Sequence, residues 1–461
     1  MSWSSILAGS TPLLIAFSFI LAWLVYRRIG PTEYDGPPAG TAGEGVRIHV
    51  LVLGDIGRSP RMTYHALSIA KHGAKVNLVG YLETTPHPDL INNPNISITA
   101  LPTPPPKPPL LPFLFFAPYK VLFQAYHLFH HLAYALPPAQ WLLVQNPPSI
   151  PTLAIASLVS RLRNSELLID WHNYSWTILA STRGRHHPLV YLSALYERRL
   201  AHHGALHLTV TRAMARQLRQ PPYSITQQLL PVHDRPAALF QPLAGPRTAA
   251  QLTALLPASC AALVPSLLDG TTHLLVSSTS WTPDEDFSLL LDALVAYAAS
   301  PGATPVLAVI TGKGPQKEYY LGRVAELTKA GRLPGVRVEM AFLPFADYAA
   351  LLACADLGVC LHKSSSGVDL PMKVVDMFGA GLPVAAYSGY ESFGELVKEG
   401  ENGRGFETAG ELAGILERLL GDAGKGELEV LRKGAVREGS RRWDEEWDAS
   451  VGIVLGFVKG K

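Results

Sequence analysis

Cysteine is scarce in this chain of 461 residues. It has three cysteines, Cys260, Cys354 and Cys360, and none belongs to a Cys-x-x-Cys pair. This pattern excludes a disulfide framework and a zinc site of paired cysteines. It also predicts that the soluble part of the protein faces a reducing compartment, where thiols stay unpaired.

Charge is scarce too. Only 16% of the residues are charged, and 39 Lys and Arg against 37 Asp and Glu leave a net charge of +2. A disordered chain has fewer apolar residues than the 48% found here, and a general nucleic-acid binder has a larger positive excess. The composition therefore predicts a globular protein of two or three domains, with apolar surface beyond what its cores require.

One uncharged run lies near the N-terminus. Residues 6–26 carry no formal charge and are long enough to cross the hydrocarbon core of a bilayer. Arg27 and Arg28 follow this run, whereas a cleaved signal peptide carries its positive charge before the run. We therefore predict an uncleaved transmembrane anchor (1–28), with the arginine end and everything after it in the cytosol.

Beyond a Gly/Pro-rich linker (29–45), short apolar runs alternate with amphipathic stretches. A strand at 47–53, a helix at 62–72 and a second strand at 75–80 form a βαβ unit. The same alternation starts again near residue 274. We predict an α/β chain with two Rossmann-like domains in tandem (46–235 and 271–435), an irregular hinge between them (236–270) and a closing helix (436–461).

The segment 102–138 is rich first in proline and then in aromatic residues. Its prolines make a second membrane span unfavourable. Two alternatives stay open, because both bury apolar surface: a helix with a hydrophobic loop inside the domain, or a surface element that dips into the membrane interface near the anchor. Lys107 and Lys120 flank the aromatic part.

Ligands of parallel α/β sheets bind beyond the C-terminal ends of the strands, so the loops there hold the candidate site residues. In the loop 54–61, Arg58 and Arg61 beside a helix N-terminus could hold an anion such as a diphosphate. Asp55 in the same loop is either a catalytic base or a cap of the turn. His172, between two tryptophans at another strand end, is either a structural histidine or a second candidate for catalysis.

Two loops of the second half carry weaker patterns. Thr279 and Ser280 belong to a loop full of hydroxyl groups, which could also be an ordinary cluster of helix N-caps. Lys313 stands between two glycines at a strand end and suits an anionic ligand, although this single residue is weak evidence.

The loop 362–371 carries the strongest pattern. Ser365, Ser366 and Gly367 precede a helix that begins with proline, and they offer donors for a phosphate at its positive end. Lys373 lies in the first turn of that helix, where a cation opposes the helix dipole unless an anion is present. Asp376 follows one turn later and could accept hydrogen bonds from ribose hydroxyls.

In combination these loops are highly specific. They include Gly-Asp-Ile-Gly-Arg-Ser-Pro-Arg (54–61), Asp-Trp-His-Asn-Tyr (170–174), Asp-Arg-Pro (234–236), Thr-Ser-Trp-Thr-Pro-Asp-Glu-Asp-Phe (279–287) and residues 364–384. From about residue 46 onwards, the chain resembles the chitobiosyldiphosphodolichol beta-mannosyltransferase family. The resemblance implies a GT-B fold, with two Rossmann-like domains facing a cleft and an N-terminal transmembrane helix. It also implies a single-pass protein of the endoplasmic reticulum membrane with a cytosolic catalytic domain.

The resemblance further implies inverting transfer of mannose from GDP-mannose to the chitobiose of dolichyl diphosphate, forming a β-1,4 linkage. The domain 46–235 would take the acceptor and the domain 271–435 the donor. Asp55 is then the first candidate for the base and His172 the second, while Arg58 and Arg61 would hold the acceptor diphosphate. The expected donor-binding residues are Thr279, Ser280, Lys313, Ser365, Ser366, Gly367, Lys373 and Asp376.

No protein-bound metal or other cofactor is expected, although free Mg²⁺ could assist. The expected partners are the two substrates, the membrane and other mannosyltransferases of the same pathway, with no nucleic acid. Related retaining enzymes have a Glu-x7-Glu pair, of which this chain keeps Asp376 in the second place and has Val368, next to Asp369, in the first. A retaining GDP- or UDP-sugar transferase of the same fold, or an inert membrane-anchored scaffold, are the alternatives.

Overall fold

The computed structural model describes residues 30–36, 45–282, 285–421 and 424–459. The predicted anchor (1–28) and most of the linker lie outside these residues. Within them, no helix combines the length and the apolar character needed to cross a bilayer.

Thirteen strands in the described part of the chain, all parallel in the strand pairs described, form two sheets. They are β1 (Arg47–Asp55), β2 (Lys75–Tyr81), β3 (Ile96–Ala100), β4 (Trp141–Asn146), β5 (Glu166–Trp171), β6 (Leu206–Thr209), β7 (Gln228–Pro231), β8 (His273–Ser278), β9 (Val306–Thr311), β10 (Val336–Ala341), β11 (Leu357–Cys360), β12 (Val384–Tyr387) and β13 (Gly403–Phe406). The first sheet has the order β3-β2-β1-β4-β5-β6-β7 and the second β10-β9-β8-β11-β12-β13. The two α/β sheets predicted from the sequence are confirmed.

Seventeen α-helices are described alongside these strands. They are α1 (Pro60–Lys71), α2 (Pro88–Ile91), α3 (Phe113–His130), α4 (Thr152–Leu162), α5 (Ser175–Arg183), α6 (Pro188–Ala201), α7 (Arg212–Arg219), α8 (Ala249–Leu255), α9 (Val264–Leu268), α10 (Phe287–Ala298), α11 (Lys317–Lys329), α12 (Phe345–Cys354), α13 (Met372–Gly379), α14 (Phe393–Leu396), α15 (Ala409–Leu420), α16 (Lys425–Gly439) and α17 (Trp443–Trp447). A π-helical turn, His131–Ala135, extends α3.

Contacts divide the chain into two compact units. Unit 1 combines the described part of residues 1–144 with residues 150–168 and 203–205, and unit 2 comprises residues 145–149, 169–202 and those from 206 onwards. The chain therefore passes from unit 1 to unit 2 inside β4 and again inside β5. The domain boundaries expected from the sequence stay predictions.

The second sheet is buried on both faces, as expected for parallel strands between two helical layers. Leu274 and Val276 of β8 belong to a cluster with residues of α12 and α13 such as Leu352 and Met377. Leu275 belongs to the opposite cluster, with residues of α10 and α15. This alternation follows the two-residue period of a strand. It explains why β8 reads as a continuous apolar run.

The segment expected to be an irregular hinge is partly helical. It contains α8, α9 and the 3₁₀ helix Ala258–Leu263. Thr248 and Gln251 form a capping box that starts α8, because each side chain accepts from the other's backbone N–H. Leu252 and Leu267 are buried beneath these helices. The Thr-x-x-Gln pattern of this capping box is present in the sequence, but the prolines and alanines around it favour the prediction of an irregular segment.

The segment 436–461, predicted to be one closing helix, contains parts of two helices. Helix α16 ends at Gly439, and α17 begins only at Trp443. A Cβ atom on Gly439 would collide with the carbonyl oxygen of Phe378, so glycine allows the last turn of α16 to pack against the backbone of α13. Trp443 and Trp447 are both buried, as their four-residue spacing indicates.

Candidate active site

The loops after β8 and β11 lie side by side in unit 2. These two strands pair in parallel at the position where the strand order of the second sheet reverses. Ligands of open α/β sheets bind at such a switch point, outside the carboxyl ends of the strands. The loops 279–286 and 361–371 therefore form the floor of the candidate site.

Asp369 organises the triple-serine loop. Its carboxylate accepts hydrogen bonds from Ser364 Oγ, from Ser366 Oγ (3.2 Å) and from the ring of His362 (3.3 Å). Burial opposes the ionisation of this carboxyl group, but the bonds from His362 and Ser364 outweigh it and keep the pKa below its usual value. Gly367 has a φ of 78°, which glycine adopts without strain, and it lets the chain turn back to Asp369.

Val368 and Asp369 have different environments. Val368 is buried, and its carbonyl oxygen accepts from Thr211 Oγ1 at 2.6 Å. The Asp369 carboxylate is already engaged by three donors of its own loop. Neither residue therefore offers an unoccupied carboxylate in the place of the first acid of a Glu-x7-Glu pair.

The loop after β5 contacts the triple-serine loop within unit 2. Asn173 Nδ2 donates to Ser365 Oγ at 3.2 Å and to Asp369 Oδ2 at 3.3 Å. Thr177 Oγ1 lies 3.4 Å from Ser365 Oγ. The sequence separation of these pairs is almost 200 residues, so no local pattern could have indicated them.

His172 is oriented by a buried carboxylate. Its Nε2 lies 2.7 Å from Asp170 Oδ2, with Asp170 fully buried and 24% of the His172 side chain exposed. A carboxylate that binds one ring nitrogen fixes the tautomer and the direction of the other nitrogen. The pair thus has the geometry of an oriented general base, with Nδ1 left for a ligand.

The tryptophans beside His172 are structural. Trp171 is fully buried and donates from Nε1 to His207 Nδ1 at 3.1 Å. Trp176 donates to the hydroxyl of Tyr223, which in turn donates to the buried Glu197 at 2.5 Å. These contacts anchor both tryptophans that flank His172 to the core of unit 2.

Lys373 already has an anionic partner. Its Nζ forms an ion pair with Glu285 Oε1, and the other oxygen of Glu285 accepts from the N–H and the hydroxyl of Ser280. Burial opposes ionisation of Glu285, but Lys373 and Ser280 lower its pKa overall. Lys373 lies in the first turn of α13, where a cation is unfavourable without an anion beside it, and Glu285 is that anion. A donor diphosphate would be a second anion near Lys373.

Three acidic residues follow each other in this loop, of which Asp284 lies outside the described part of the chain. The sequence does contain an Asp-x-Asp pattern here, which the expectation of no metal site overlooked. Asp286 caps α10 through Ser288 and contacts Lys363 at 3.4 Å. Across the described ranges, no group of three His, Cys, Asp or Glu side chains could hold a metal ion.

Asp376 is a carboxylate without a recorded donor among the described residues. Burial and the nearby charge of Asp234 raise its pKa to about 7. Its charge also helps to raise the pKa of Tyr348, after the burial of that hydroxyl. Titratable groups with strongly perturbed pKa values are enriched among binding residues. The place of Asp376 one turn into α13 suits the ribose role expected from the sequence.

An apolar cavity of about 250 Å³ opens beside Tyr348. Its lining includes Thr311, Gly312 and three aromatic residues, of which Phe342 and Phe345 are 65% and 61% exposed. Lys313 Nζ lies 3.7 Å from the centre of the Phe342 ring, a cation–π contact. Two exposed rings at the end of β10 offer a stacking surface for a flat ligand. Neither aromatic residue was among the expected donor-binding residues, although Phe342 directly follows the strand β10.

The loop 54–61 belongs to unit 1. Asp55 accepts from the hydroxyl and the N–H of Thr84 (2.5 and 3.2 Å) and from the N–H of Glu83 (3.1 Å). Burial would raise the pKa of Asp55, but these donors lower it below its usual value. Arg58 is exposed and lies 3.5 Å from Asp55, whereas Arg61 is buried. Asp55 thus ties its own loop to the loop after β2 instead of capping the turn that follows it, and its role as base stays a prediction.

No protein-family model matches the chain. A chitobiosyldiphosphodolichol beta-mannosyltransferase of Arthroderma benhamiae is 44% identical over 457 residues, which cover 97% of this chain and 99% of that protein. The Homo sapiens protein of the same name is 39% identical over 432 residues, covering 87% of this chain and 90% of its own. The chain belongs to this mannosyltransferase family.

Solved structures show the fold of this mannosyltransferase. Sucrose-phosphate synthase from Thermosynechococcus elongatus aligns with a TM-score of 0.59 at 16% identity, over 89% of this chain and 96% of that one. Anabaena HepE, solved in complex with UDP, aligns with a TM-score of 0.57 at 15% identity, over 87% and 96%. Both neighbours are of the GT-B type, which confirms that part of the expected fold class.

Within unit 2 of the mannosyltransferase, the structure brings most of the predicted donor residues together. Ser280 and Lys373 share Glu285, while Ser365 and Ser366 lie in the loop that Asp369 organises. Thr279, Lys313 and Gly367 lie on the same set of loops. Arg58, Arg61 and Asp55 lie in unit 1. The binding and catalytic roles of all these residues stay predictions.

Proposed function

We propose that this protein transfers mannose from GDP-mannose to the chitobiose of dolichyl diphosphate, with inversion at the anomeric carbon. Membership of the beta-mannosyltransferase family carries this proposal. The donor is α-linked and the product of the family is β-linked, so a single in-line displacement accounts for the change. Such a step needs a base for the acceptor hydroxyl and stabilisation of the departing GDP.

The donor nucleoside lies on the second sheet in this proposal. The guanine stacks on Phe342 or Phe345, and Asp376 accepts from the ribose hydroxyls. The supporting observation is the apolar cavity lined by Tyr348, whose hydroxyl senses the charge of Asp376, a half-buried carboxylate with no hydrogen-bond donor among the described residues. Binding of the two hydroxyls would lower the pKa of Asp376, because hydrogen bonds to a carboxylate favour its ionised form.

The diphosphate lies over the triple-serine loop and the N-terminus of α13. Positive charge from Lys313, together with the helix dipole, stabilises the charge that develops on the leaving GDP. Lys373 adds to this only the part of its charge that its ion pair with Glu285 does not neutralise. Free Mg²⁺ could assist there. Chelation of divalent ions should then reduce the rate without abolishing transfer, and complete loss with full rescue by added Mg²⁺ would instead assign the ion an essential role.

For the base we favour His172 over Asp55. The imidazole is held at 2.7 Å by Asp170, which stabilises the charge that the ring gains on taking a proton. Asp55 binds three donors and has a lowered pKa, which weakens it as a base. Arg58, exposed in unit 1, is the more accessible of the two arginines for the acceptor diphosphate.

We place the protein at the cytosolic face of the endoplasmic reticulum membrane as a single-pass protein. The support is the uncharged run 6–26 followed by Arg27 and Arg28, and the lipid-linked acceptor named for the family. Other mannosyltransferases that act on the same lipid are the proposed partners. Protection of the C-terminal part from protease in intact microsomes would contradict this orientation.

The decisive experiment is an assay of the full chain in membranes, with GDP-mannose and a chitobiosyl diphosphate lipid. We expect a β-1,4-linked mannoside, identified from the anomeric coupling in the NMR spectrum of the released trisaccharide. An α-mannoside would mean a retaining enzyme, and the absence of nucleotide binding would mean an inert scaffold.

A further inference from the structure

Helix α3 has an exposed apolar face that the rest of unit 1 leaves uncovered. Phe115, Tyr119, Leu122 and Tyr126 are 67%, 49%, 69% and 64% exposed. Their spacing of four, three and four residues places them along one side of the helix. With Tyr134, half exposed on the π-helical extension, they are called the α3 stripe below. The exposed side of a helix in water is ordinarily polar, so this face is suited to being covered.

The chemistry of the stripe fits the boundary between lipid headgroups and acyl chains. Three of its five side chains are tyrosines, which place a ring in an apolar phase and a hydroxyl in a wet one. Lys120 lies on the exposed side of α3, and Lys107 precedes it. No Asp or Glu occurs between Asp89 and Glu166, so the α3 element itself has no charge that anionic headgroups would repel. Glu33 and Asp35 are exposed in the neighbouring segment 30–36, where headgroups have to accommodate them.

Arg163 ties the end of this element to the segment that follows the predicted anchor. The side chain is buried, and its Nη1 donates to the carbonyl oxygens of Leu132 and Leu136, each at 2.7 Å. Its Nε and Nη2 donate to the carbonyl oxygen and the hydroxyl of Thr32 at 2.9 and 3.0 Å. The backbone N–H of Tyr34 donates to the Arg163 carbonyl oxygen at 2.8 Å. One guanidinium thus joins Thr32 to the C-terminal end of the α3 element.

This junction places the stripe close to the bilayer. Thr32 follows Arg28, the end of the predicted anchor, by only four residues, which reach at most about 14 Å. An anchor that ends at the membrane surface therefore keeps Thr32 within about 14 Å of the headgroups. Leu132 and Leu136 lie one guanidinium group and two hydrogen bonds beyond Thr32. Helix α3 is about 27 Å long, so the tyrosines along it can reach the headgroups from this position.

We propose that the α3 stripe is a membrane-binding surface, inserted at the headgroup boundary of the bilayer that carries the acceptor. The inference rests on the proposed function, because a lipid-linked acceptor places the enzyme at a bilayer. It selects the second of the two alternatives that the sequence left open for the segment 102–138. The protein then has two attachments to the membrane, the anchor and the stripe, joined through Arg163.

The first experiment measures the depth of one stripe position in the full chain. The native cysteines are all buried, so an environment-sensitive fluorophore can be attached selectively to Leu122→Cys. Ile91→Cys is the matched control, since Ile91 is 57% exposed in the same unit but lies on α2. The proteins are reconstituted into vesicles of phosphatidylcholine and phosphatidylserine, with or without a shallow spin-labelled lipid.

We expect the spin-labelled lipid to quench the fluorophore at position 122 and aqueous iodide to quench it poorly. The control at position 91 should behave in the opposite way. Equal access of iodide to both positions would overturn the proposal. So would protection of position 122 that appears without vesicles and grows with protein concentration, because a second copy of the chain would then cover the stripe.

The second experiment separates this surface from catalysis. Tyr119→Ser and Leu122→Ser together should raise the KM for the long-chain lipid acceptor by about tenfold, because each lost side chain removes apolar burial. The KM for GDP-mannose and the turnover of a water-soluble short-chain acceptor should not change. An unchanged KM for the lipid acceptor would count against the proposal. If the wild-type protein transferred no mannose, the proposed function would fail while the depth measurement would still decide the membrane surface.

Discussion

At the scale of single residues, the charged groups of the candidate site differ in whether the chain already neutralises them. Lys373 is paired with Glu285, and Asp369 is engaged by His362 and two serines. Asp376 has no recorded donor among the described residues and a pKa raised to about 7. Groups of the first kind shape the loops, whereas a group of the second kind gains a partner only when a ligand binds.

Asp376→Asn should stabilise the protein at neutral pH and weaken donor binding. Because the folded chain holds this proton more tightly than the unfolded chain, wild-type stability falls as the pH rises from about 4 to about 7. The variant lacks this loss, so above pH 7 it should be more stable by about 2–4 kcal/mol, and below about pH 4 the difference should vanish. Denaturant unfolding at several pH values measures this.

GDP-mannose affinity of the same variant should fall by about tenfold, since the ribose hydroxyls lose a charged acceptor. Asp292→Asn, an exposed position in the middle of α10, is the control and should change neither quantity. A variant that is destabilised at neutral pH but binds the donor normally would remove Asp376 from the donor site.

Substitutions at His172 and Asp55 decide between the two candidate bases. His172→Ala should lower kcat by about 100-fold or more with the donor KM nearly unchanged, because a general base acts on the chemical step. Asp170→Asn should lower kcat less, since it only removes the orienting carboxylate. Asp55→Asn should keep substantial activity and lower the thermal stability, as the amide presents one acceptor oxygen where the carboxylate has two. The reverse ranking of the kcat values would restore Asp55 as the base.

At the scale of elements, one polar cluster joins four helices of unit 2. The ring of His233 bridges Glu395 of α14 and Glu446 of α17, at 2.9 and 3.0 Å. Arg235 pairs with Glu438 of α16 and with Glu446, each at 2.8 Å. Glu395 also accepts from two backbone N–H groups at the start of α7. The string Asp-Arg-Pro at 234–236 therefore has a structural role next to these contacts.

His233→Gln should destabilise the protein more at pH 6 than at pH 9. Burial lowers the pKa of His233, but the hydrogen bonds to Glu395 and Glu446 outweigh this and raise it. A raised folded pKa stabilises the protein fully below about pH 6.5, and this contribution is lost as the pH rises through the folded value. We expect a loss of about 1–3 kcal/mol at pH 6, measured by urea unfolding. A loss that is constant across this range would mean that the ring stays neutral.

Phe342→Ala should weaken GDP binding by about tenfold or more, because the stacking of a base on an aromatic ring is worth about 1–3 kcal/mol. Phe342 is 65% exposed, so the substitution should leave the melting temperature unchanged. Tyr319→Ala is the matched control, since Tyr319 is 64% exposed on α11, away from the cavity lining. Calorimetric titration with GDP measures both, and equal affinities would place the base elsewhere.

The sequence predicts an element well where the pattern is local. The βαβ alternation and the loops at strand ends come from short apolar runs and turn residues, and the structure confirms them. The contact of Asn173 with Ser365 joins distant parts of the chain, so no spacing reveals it. The close approach of Gly439 to the backbone of Phe378 joins distant parts of the chain in the same way. The exposure of Phe342 could not be predicted either, because an apolar residue directly after a strand is usually buried.

At the scale of the whole molecule, the two units should unfold together. The chain passes between them at residues 144, 149, 168, 202 and 205, and two of these passages lie inside β4 and β5. Melting of one unit would break strands of the other, which predicts a single transition in calorimetry with equal calorimetric and van't Hoff enthalpies. Two separated transitions would contradict this.

The same shared strands govern how the enzyme can be dissected. A truncation or a protease cut between residues 145 and 205 leaves β4 or β5 divided or parted from its neighbours, so neither product contains a complete half. A donor-only fragment starting at the second sheet would also lack Asn173 and Thr177, which hold Ser365 in place. Nucleotide recognition by this enzyme is therefore a property of the uncut polypeptide, and fragment complementation should restore it only if both pieces refold in each other's presence.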